Sequence, residues 1–274
     1  MHNTAANPPG NTAAKPPGKP PGNSPGNSPA NPPALLPRAA VRANRLLAVL
    51  PLDALDRLLQ DAEKVWLVSG DVLYSAELAL THAYFPVDII VTLLLESGGR
   101  PTTKVAMVGR EGVVGVSAFM GGAPPPGRAV VLNSGNAFKI PAAALKTEFD
   151  RNGVAMRLLL RFTQSMVTQM AQSAVCNRHH QIEPQLCSWL LASMDRLPNG
   201  NTLPVTQETV ASMLGVRREG IGLAAGALRQ LGLINFRRGR INVLDRPGLL
   251  ARACECYGVV KRETDRLLPD RPAT

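Results

Sequence analysis

Apolar residues recur every three to four positions in some parts of this chain and every second position in others. From Arg42 to Gln60, RANRLLAVLPLDALDRLLQ has helical spacing that is interrupted at Pro51. Between residues 64 and 141, short β-branched runs alternate with Gly, Pro and Ser clusters. Many short strands joined by frequent turns are typical of a sandwich or jelly roll. We expect LESGGRPTT to be one of its hairpin loops.

The helical period returns after Pro141, and a long amphipathic helix is expected from Val154 to about Asn177. Its apolar positions fall mostly on one face: Met156, Leu159, Leu160, Met166, Val167 and Met170. A small sheet cannot cover a stripe of this length, so we predict a homodimer helix, with packing inside one chain as the alternative. Residues 182 to 197 predict a further amphipathic helix, with Pro184 in its first turn.

The stretch TQETVASMLGVRREG, residues 206 to 220, has the pattern of a helix-turn-helix. Thr206 is a suitable N-cap, and Gly215 permits a tight turn between the two helices. The apolar face of the first helix consists of Val210, Met213 and Leu214. The second helix is expected to bury Ile221, Ala224, Ala225, Leu228 and Leu231. Downstream, GLINFRRGRINVLD alternates apolar and polar residues around Arg238 and Gly239, which predicts a hairpin, or wing.

Arg217 and Arg218 fall at the start of the second helix, where the helix dipole disfavours cations. In a helix-turn-helix this end enters the major groove of DNA, where Arg can donate two hydrogen bonds to guanine and Glu219 could accept one from cytosine. The wing arginines are expected beside phosphates: Arg237, Arg238 and Arg240. Three glycines weaken the second helix: Gly220, Gly222 and Gly226.

The charge balance agrees with an anionic partner, because 274 residues carry a formal net charge of +10. No run approaches the roughly 18 apolar residues of a membrane span, and the N-terminus lacks the apolar segment of a secretory signal. Four cysteines are too few and too scattered for a disulfide framework. We therefore predict a cytoplasmic protein without a membrane partner. Because the chain shows no Walker lysine motif, nucleophile elbow or paired-carboxylate motif, an enzyme is the least favoured class.

The order of jelly roll, long helix and winged helix-turn-helix resembles the Crp/Fnr family of bacterial transcription regulators from Arg42 to about Leu250. VTQETVASMLGVRREGIG lines up without gaps on the DNA-reading motif of that family, and its base-contacting Arg-Glu pair falls on Arg218 and Glu219. A third family position, usually Arg, is Leu223 here. The resemblance implies double-stranded DNA as the partner of a homodimer, and RNA polymerase as a further candidate partner.

The resemblance also implies an α+β fold with an N-terminal double-stranded β-helix (jelly roll) as a sensor domain. We divide the chain into a disordered Pro/Gly/Asn-rich arm (1–37), a cyclic-nucleotide-binding-like sensor domain (38–152), a dimerisation helix with hinge (153–180), and a winged helix-turn-helix domain with a C-terminal extension (181–274). The DNA-binding residues are predicted to be Thr206, Gln207, Arg217, Arg218, Glu219, Gly222, Leu223, Arg237, Arg238 and Arg240.

The sensor domain departs from cyclic-AMP-binding family members in its chemistry. GREGVVGVSAFMGGAPPPGRAVV aligns on their phosphate-binding cassette, with Gly115 at the cassette glycine and Arg128 at the arginine that pairs with the cyclic phosphate. Val116 replaces the carboxylate that holds the ribose hydroxyl, and Ala129 replaces a hydroxyl residue. A buried ribose would lose a charge-assisted hydrogen bond. We therefore predict no cyclic AMP and no cofactor. Another ligand, or none, remain the alternatives.

No metal site is predicted either. Family members that sense oxygen through an iron–sulfur cluster carry cysteines in the N-terminal arm, and this arm has none. Four ligand-type residues lie near the joint between the domains, but their spacing matches no standard zinc pattern: Cys176, His179, His180 and Cys187. The Cys254-Glu255-Cys256 motif is likewise not predicted to be a metal site.

The leading function is therefore a sequence-specific DNA-binding transcription regulator, allosterically controlled by an unidentified signal. The alternative is a ligand- or metal-binding sensor module that acts through a protein partner. Steep salt dependence of binding to duplex DNA would separate the two functions.

Overall fold

Residues 37–75, 78, 80–95, 103–122, 127–198 and 200–268 are those that the computed structural model of the protein describes. The expected disordered arm, apart from Pro37, lies outside these residues, and so does most of the hairpin loop LESGGRPTT. None of the helices described here combines the length and the apolar character that crossing a membrane requires.

Two antiparallel sheets form the predicted sensor domain. Their strands are Glu63–Leu67 (β1), Val72–Tyr74 (β2), His82–Pro86 (β3), Val91–Leu95 (β4), Thr103–Val108 (β5), Arg128–Val131 (β6) and Gly135–Pro141 (β7). The strand orders are β1–β7–β3 and β2–β6–β4–β5. Side chains from both sheets share one core, in which Phe85 and Phe138 are almost completely buried. The expected layered β-domain is confirmed.

Short helices surround these sheets. They are Arg38–Val41 (α1), Arg45–Ala48 (α2), Leu52–Leu59 (α3), Ser117–Met120 (α4) and Ala142–Asp150 (α5). The buried Asn44 side chain accepts a hydrogen bond from the amide of Leu47 and so caps α2. Its amide nitrogen donates to the carbonyl oxygens of Pro86 and Gly112, both at 2.9 Å. Pro51 precedes α3 directly, as the break in the sequence pattern predicts.

The long helix is present as α6, Val154–His179, but its buried face differs from the predicted one. Leu159 and Met166, expected in an interface between two chains, instead lie in the core of the sensor domain. Leu160, Val167 and Met170 are 41%, 53% and 37% exposed. The prediction of one shared apolar stripe was wrong, because two adjacent faces of the helix are apolar and only one packs within the chain.

The described residues of the predicted C-terminal domain form five helices and one three-stranded sheet. The helices preceding the wing are Ile182–Arg196 (α7), Gln207–Leu214 (α8) and Arg218–Gln230 (α9). The strands are Thr202–Leu203 (β8), Ile234–Arg237 (β9) and Arg240–Val243 (β10), in the order β8–β10–β9. Arg246–Arg252 (α10) follows, and then comes Glu255–Leu267 (α11). Leu231 is the C-cap of α9 and is 50% exposed, so its predicted burial was wrong.

Helices α7 and α8 pack against the outer face of the four-stranded sheet, where Met107 of β5 joins the C-terminal core. The amide of Gln169 on α6 donates to the carbonyl of Met107 at 3.2 Å. A buried ion pair connects α7 to the turn after β5, with Nε of Arg196 lying 2.8 Å from Oε1 of Glu111. The sensor sheet therefore contacts α7 and α8 through apolar side chains, and the turn after β5 contacts α7 through the ion pair.

Candidate functional site

The local chemistry of the helix-turn-helix agrees with the sequence prediction. Thr206 caps α8, because its hydroxyl oxygen accepts a hydrogen bond from the amide of Thr209 at 3.1 Å. Gly215 ends α8 with φ of 66°, a left-handed conformation that glycine adopts without steric cost. Gln207 begins α8 and is half-buried. Two helices therefore meet at a turn that leaves the first residues of α9 accessible.

Arg217 is the N-cap of α9, and Arg218 and Glu219 are its first two helical residues. All three side chains are exposed. The opposite face of α9 is anchored by four buried residues: Ile221, Ala224, Ala225 and Leu228. This anchoring points the charged end of the helix away from the core.

The glycines of α9 have different environments. A Cβ atom on Gly220 would lie 2.6 Å from Cδ1 of Ile182, so the end of that side chain would have to shift to admit it. A Cβ atom on Gly222 would lie 3.7 Å from the side-chain oxygen of Gln207, an ordinary contact. Nothing in the structure explains Gly226. Leu223, on the same exposed side, is 79% exposed.

The wing is a tight hairpin. Arg238 and Gly239 have φ of 47° and 73°, the two positive values that a type I′ turn requires. A Cβ atom on Gly239 would lie 3.8 Å from Cγ2 of Thr206, so the wing tip lies beside the start of α8. The turn therefore brings the wing and the helix-turn-helix to one surface.

Five exposed arginines define what we call the basic surface: Arg217, Arg218, Arg237, Arg238 and Arg240. Within the described part of the chain, none of the five forms an ion pair with a carboxylate. Their charges add near the positive N-terminal end of α9. The arrangement can therefore bind an extended polyanion.

The predicted ligand residues of the sensor domain lie in two segments. Gly115, with φ of 104°, and Val116 directly precede α4, whereas Arg128 and the buried Ala129 begin β6. A Cβ atom on Gly115 would lie 3.1 Å from a methyl group of Leu80, so an apolar side chain occupies the space next to this glycine. Residues 123–126, between the two segments, are outside the described ranges. That Gly115, Val116, Arg128 and Ala129 bind a ligand stays a prediction.

A cavity of about 190 Å³, missed by the sequence analysis, lies between β5, α6, α7 and α11. Lys104, Trp189 and Tyr257 contribute to its wall. Burial lowers the pKa of Lys104 to about 8. The cavity has no local sequence signal, because its lining residues come from elements that are far apart in the sequence.

The cysteine and histidine residues do not group as the sequence suggested. His179 is exposed, and Cys187 is buried in the C-terminal core. Cys176 and His180 instead meet the Cys254-Glu255-Cys256 motif, and one ligand atom from each of these three cysteines and His180 lies within 4.8 Å of the others. A hydrogen bond from the Cys176 thiol lowers the pKa of Cys254 well below the usual thiol range. The helical i, i+4 spacing of Cys176 and His180 is the signal that could have paired them.

Comparison with known proteins agrees with this architecture. Residues 184–252 match the Crp-like helix-turn-helix domain. No curated protein sequence matches the chain. Among solved structures, FixK2 from Bradyrhizobium japonicum is similar with a TM-score of 0.61 and 14% identity, over 70% of this chain and 98% of that one.

Two further structures have the same fold. A transcriptional regulator of the Crp/Fnr family from Eubacterium rectale has a TM-score of 0.59 and 16% identity, over 74% of this chain and 94% of its own. The c-di-GMP responsive global regulator CLP from Xanthomonas campestris has a TM-score of 0.53 and 13% identity, over 71% and 100%. Residues 184–252 therefore form a Crp-like helix-turn-helix domain, carried within the fold of the Crp/Fnr transcription regulators.

Proposed function

We propose that this chain is a sequence-specific DNA-binding transcription regulator that acts as a homodimer in the cytoplasm and binds rather than catalyses. The observation that carries the proposal is the basic surface, whose five arginines lie exposed on a Crp-like helix-turn-helix and its wing. Because no described carboxylate neutralises these charges, phosphate groups are their natural counter-ions. RNA polymerase is the further partner we propose for the DNA-bound state.

Base recognition is assigned to the exposed start of α9. Arg218 donates to the acceptor pair of a guanine, and Glu219 accepts from a cytosine amine. Leu223 lies one turn beyond Glu219 on the same face, and its exposed apolar side chain fits a thymine methyl group. Arg237, Arg238 and Arg240 hold the phosphate backbone, which fixes position without reading sequence.

The dimer is assigned to the exposed side of α6. The positions Leu160, Thr163, Val167, Met170 and Ala174 are spaced alternately by three and four residues, as in the a and d positions of a heptad repeat. This seam lies beside the face that packs on the sensor domain. A second copy of α6 would cover the apolar area that one chain leaves in water, and would place two α9 helices on a symmetric operator.

The test compares Arg218→Ala, Arg238→Ala and Arg229→Ala. For Arg218→Ala, selection from random duplexes should recover a motif with a weaker preference at one symmetric base pair. The free energy of binding to the best operator should weaken by about 1–3 kcal/mol. Arg238→Ala should weaken all duplexes alike and lower the salt slope by about one. Arg229, exposed in the last turn of α9, is the matched control and should leave both unchanged.

If wild type and Arg218→Ala recover the same motif with equal stringency, Arg218 does not read bases. If the wild type binds duplex DNA without steep salt dependence, the alternative function is favoured, in which the chain acts as a sensor module on a protein partner. Whether the chain acts on DNA or on a protein partner, we propose that the signal binds at the sensor domain. We assign no cyclic AMP to it, because Val116 offers no carboxylate for a ribose hydroxyl.

A further inference from the structure

Four potential metal ligands converge where the end of α6 meets the start of α11. Cys176 belongs to the last turn of α6 and His180 is its C-cap, while Cys254 is the N-cap of α11 and Cys256 lies in its first turn. Cys254 and Cys256 are 7% and 5% exposed. The cluster therefore joins two helices that are distant in the sequence: Cys176 and Cys254 are 78 positions apart, and His180 and Cys256 are 76 positions apart.

The four ligand atoms lie within 4.8 Å of one another, and two of their separations match those around one tetrahedral ion. Sγ of Cys176 lies 3.6 Å from Sγ of Cys254, and Sγ of Cys256 lies 3.6 Å from Nδ1 of His180. A tetrahedral zinc ion, with bonds of about 2.3 Å to sulfur and 2.0 Å to nitrogen, separates two sulfurs by about 3.8 Å and sulfur from nitrogen by about 3.5 Å. An iron–sulfur cluster, which inserts several irons and sulfides between the thiolates, requires a wider arrangement.

The histidine is oriented for coordination. Nδ1 of His180 faces the sulfur atoms, and Nε2 lies 3.2 Å from a carboxylate oxygen of Glu255. Histidines that bind zinc usually donate the N–H of the other ring nitrogen to a carboxylate, which fixes the ring and its tautomer. Glu255 is thus a positioning residue for His180.

Helix α7 holds the backbone of three of the four ligands. The side-chain amide of Gln185 donates to the carbonyl oxygens of Cys176 and His180, at 3.2 and 2.8 Å. The hydroxyl of Ser188 accepts from the amide of Cys254 at 3.1 Å and lies 3.1 Å from its sulfur. These contacts orient the ligands independently of any ion.

The charge balance of the site also favours a divalent cation. Three thiolates, a neutral imidazole and one zinc ion carry a single net negative charge. The N-terminal end of α11 lies at Cys254, where its dipole favours a negative sulfur. Lys104, Cys176 and Cys256 line the same cavity, so a cation from the protein lies near the thiolates and solvent reaches the site.

We propose that Cys176, His180, Cys254 and Cys256 bind one zinc ion that ties α11 to the end of the long helix. Because α11 follows the winged domain directly, the ion restrains the orientation of that domain relative to α6. Loss of the ion frees the C-terminal extension and changes DNA affinity. This last consequence rests on the proposed function, whereas the metal site itself does not.

The first experiment measures zinc per chain by native mass spectrometry on the full chain, expressed with zinc and purified without oxygen. The wild type should hold one zinc ion per chain. His180→Ala and Cys256→Ala should lose it, while the matched controls His179→Ala and Cys187→Ala should retain it. His180→Cys, which keeps a zinc ligand at this position, should also retain the ion, and this variant separates coordination from a simple folding defect.

Glu255→Gln tests the positioning role, since it keeps all four ligands. Zinc affinity, measured by competition with a chromophoric chelator, should fall by about 10- to 100-fold. An unchanged affinity would overturn the role of Glu255. The zinc assignment itself is overturned by a wild-type chain without metal, by iron with sulfide, or by a mass two hydrogens lower that maps to a Cys176–Cys254 disulfide.

The consequence for DNA is measured with the selected operator before and after chelation. Removal of zinc should change the affinity at least about fivefold, and added zinc should restore it. Equal affinity for the operator with and without zinc would overturn the proposal that the ion controls the orientation of the winged domain. A chain that binds zinc but no duplex in either state contradicts the proposed function and leaves the metal site standing, so the two failures are distinguishable.

Discussion

The buried ion pair between Glu111 and Arg196 gives the sharpest energetic prediction. Both side chains are withdrawn from water, at 9% and 8% exposure. Glu111 follows β5 of the sensor domain and Arg196 ends α7 of the DNA-binding domain. In Glu111→Gln, the guanidinium would stay buried without a counter-charge, so its desolvation cost would no longer be offset.

Removing one partner of a buried pair costs about 3–5 kcal/mol. Arg196 also donates from Nε to the carbonyl of Met107 at 3.3 Å and from Nη1 to that of Ala192 at 2.7 Å. Because these neutral acceptors remain, we expect the lower end, about 3 kcal/mol. For a chain of this size that corresponds to a fall in Tm of roughly 6–12 °C.

Urea unfolding at neutral pH is the assay. Asp150→Asn is the control, because it breaks an exposed pair with Lys146 and should cost less than about 1 kcal/mol. The double variant Glu111→Gln/Arg196→Met leaves no buried charge unpaired, and should recover part of the loss. If Glu111→Gln is as stable as Asp150→Asn, the pair is solvated and the two domains are not joined there in solution.

Three further results are expected. Val167→Glu should convert the proposed dimer into a folded monomer in light scattering, because Val167 is exposed in one chain and would be buried in the seam, where a charge is costly to desolvate. The neighbouring Thr168→Glu should stay dimeric, and an unchanged mass for Val167→Glu excludes the seam. Thr206→Ala should lower the free energy of unfolding in urea by about 1 kcal/mol, and Thr206→Ser should restore it. An unchanged free energy for Thr206→Ala would show that water replaces the cap. Cyclic AMP should leave Tm and DNA affinity unchanged, and saturable binding well below millimolar in calorimetry would show that Val116 does not block the slot.

Features that depend on a few neighbouring residues were predictable from the sequence. The Thr206 cap, the left-handed Gly215 and the Arg238-Gly239 turn all follow from backbone preferences that act over about four residues. The helix-turn-helix is a set of such features at fixed offsets, so its position and the exposure of Arg218 could be predicted without knowledge of the fold.

The long helix shows where this reasoning ends. Periodicity indicates which residues share a face, but it does not say what covers that face. Leu159 and Leu160 are equally apolar and adjacent in sequence, yet only Leu159 lies in the sensor core. Which of the two apolar faces is left for a partner is decided by the packing of α6 on the sheet.

The Cys/His cluster depends on tertiary structure still more strongly. Cys176 and His180 contribute one helical turn, and Cys254 and Cys256 contribute another from the far end of the chain. Each pair supplies only two of the four ligands of a structural zinc site, so neither pair by itself predicts the site. The packing of α11 against α6, with Gln185 and Ser188 of α7 hydrogen-bonded to the ligand residues, brings the four ligand atoms within 4.8 Å of one another. Coordination depends on such distances in space and not on separation in sequence.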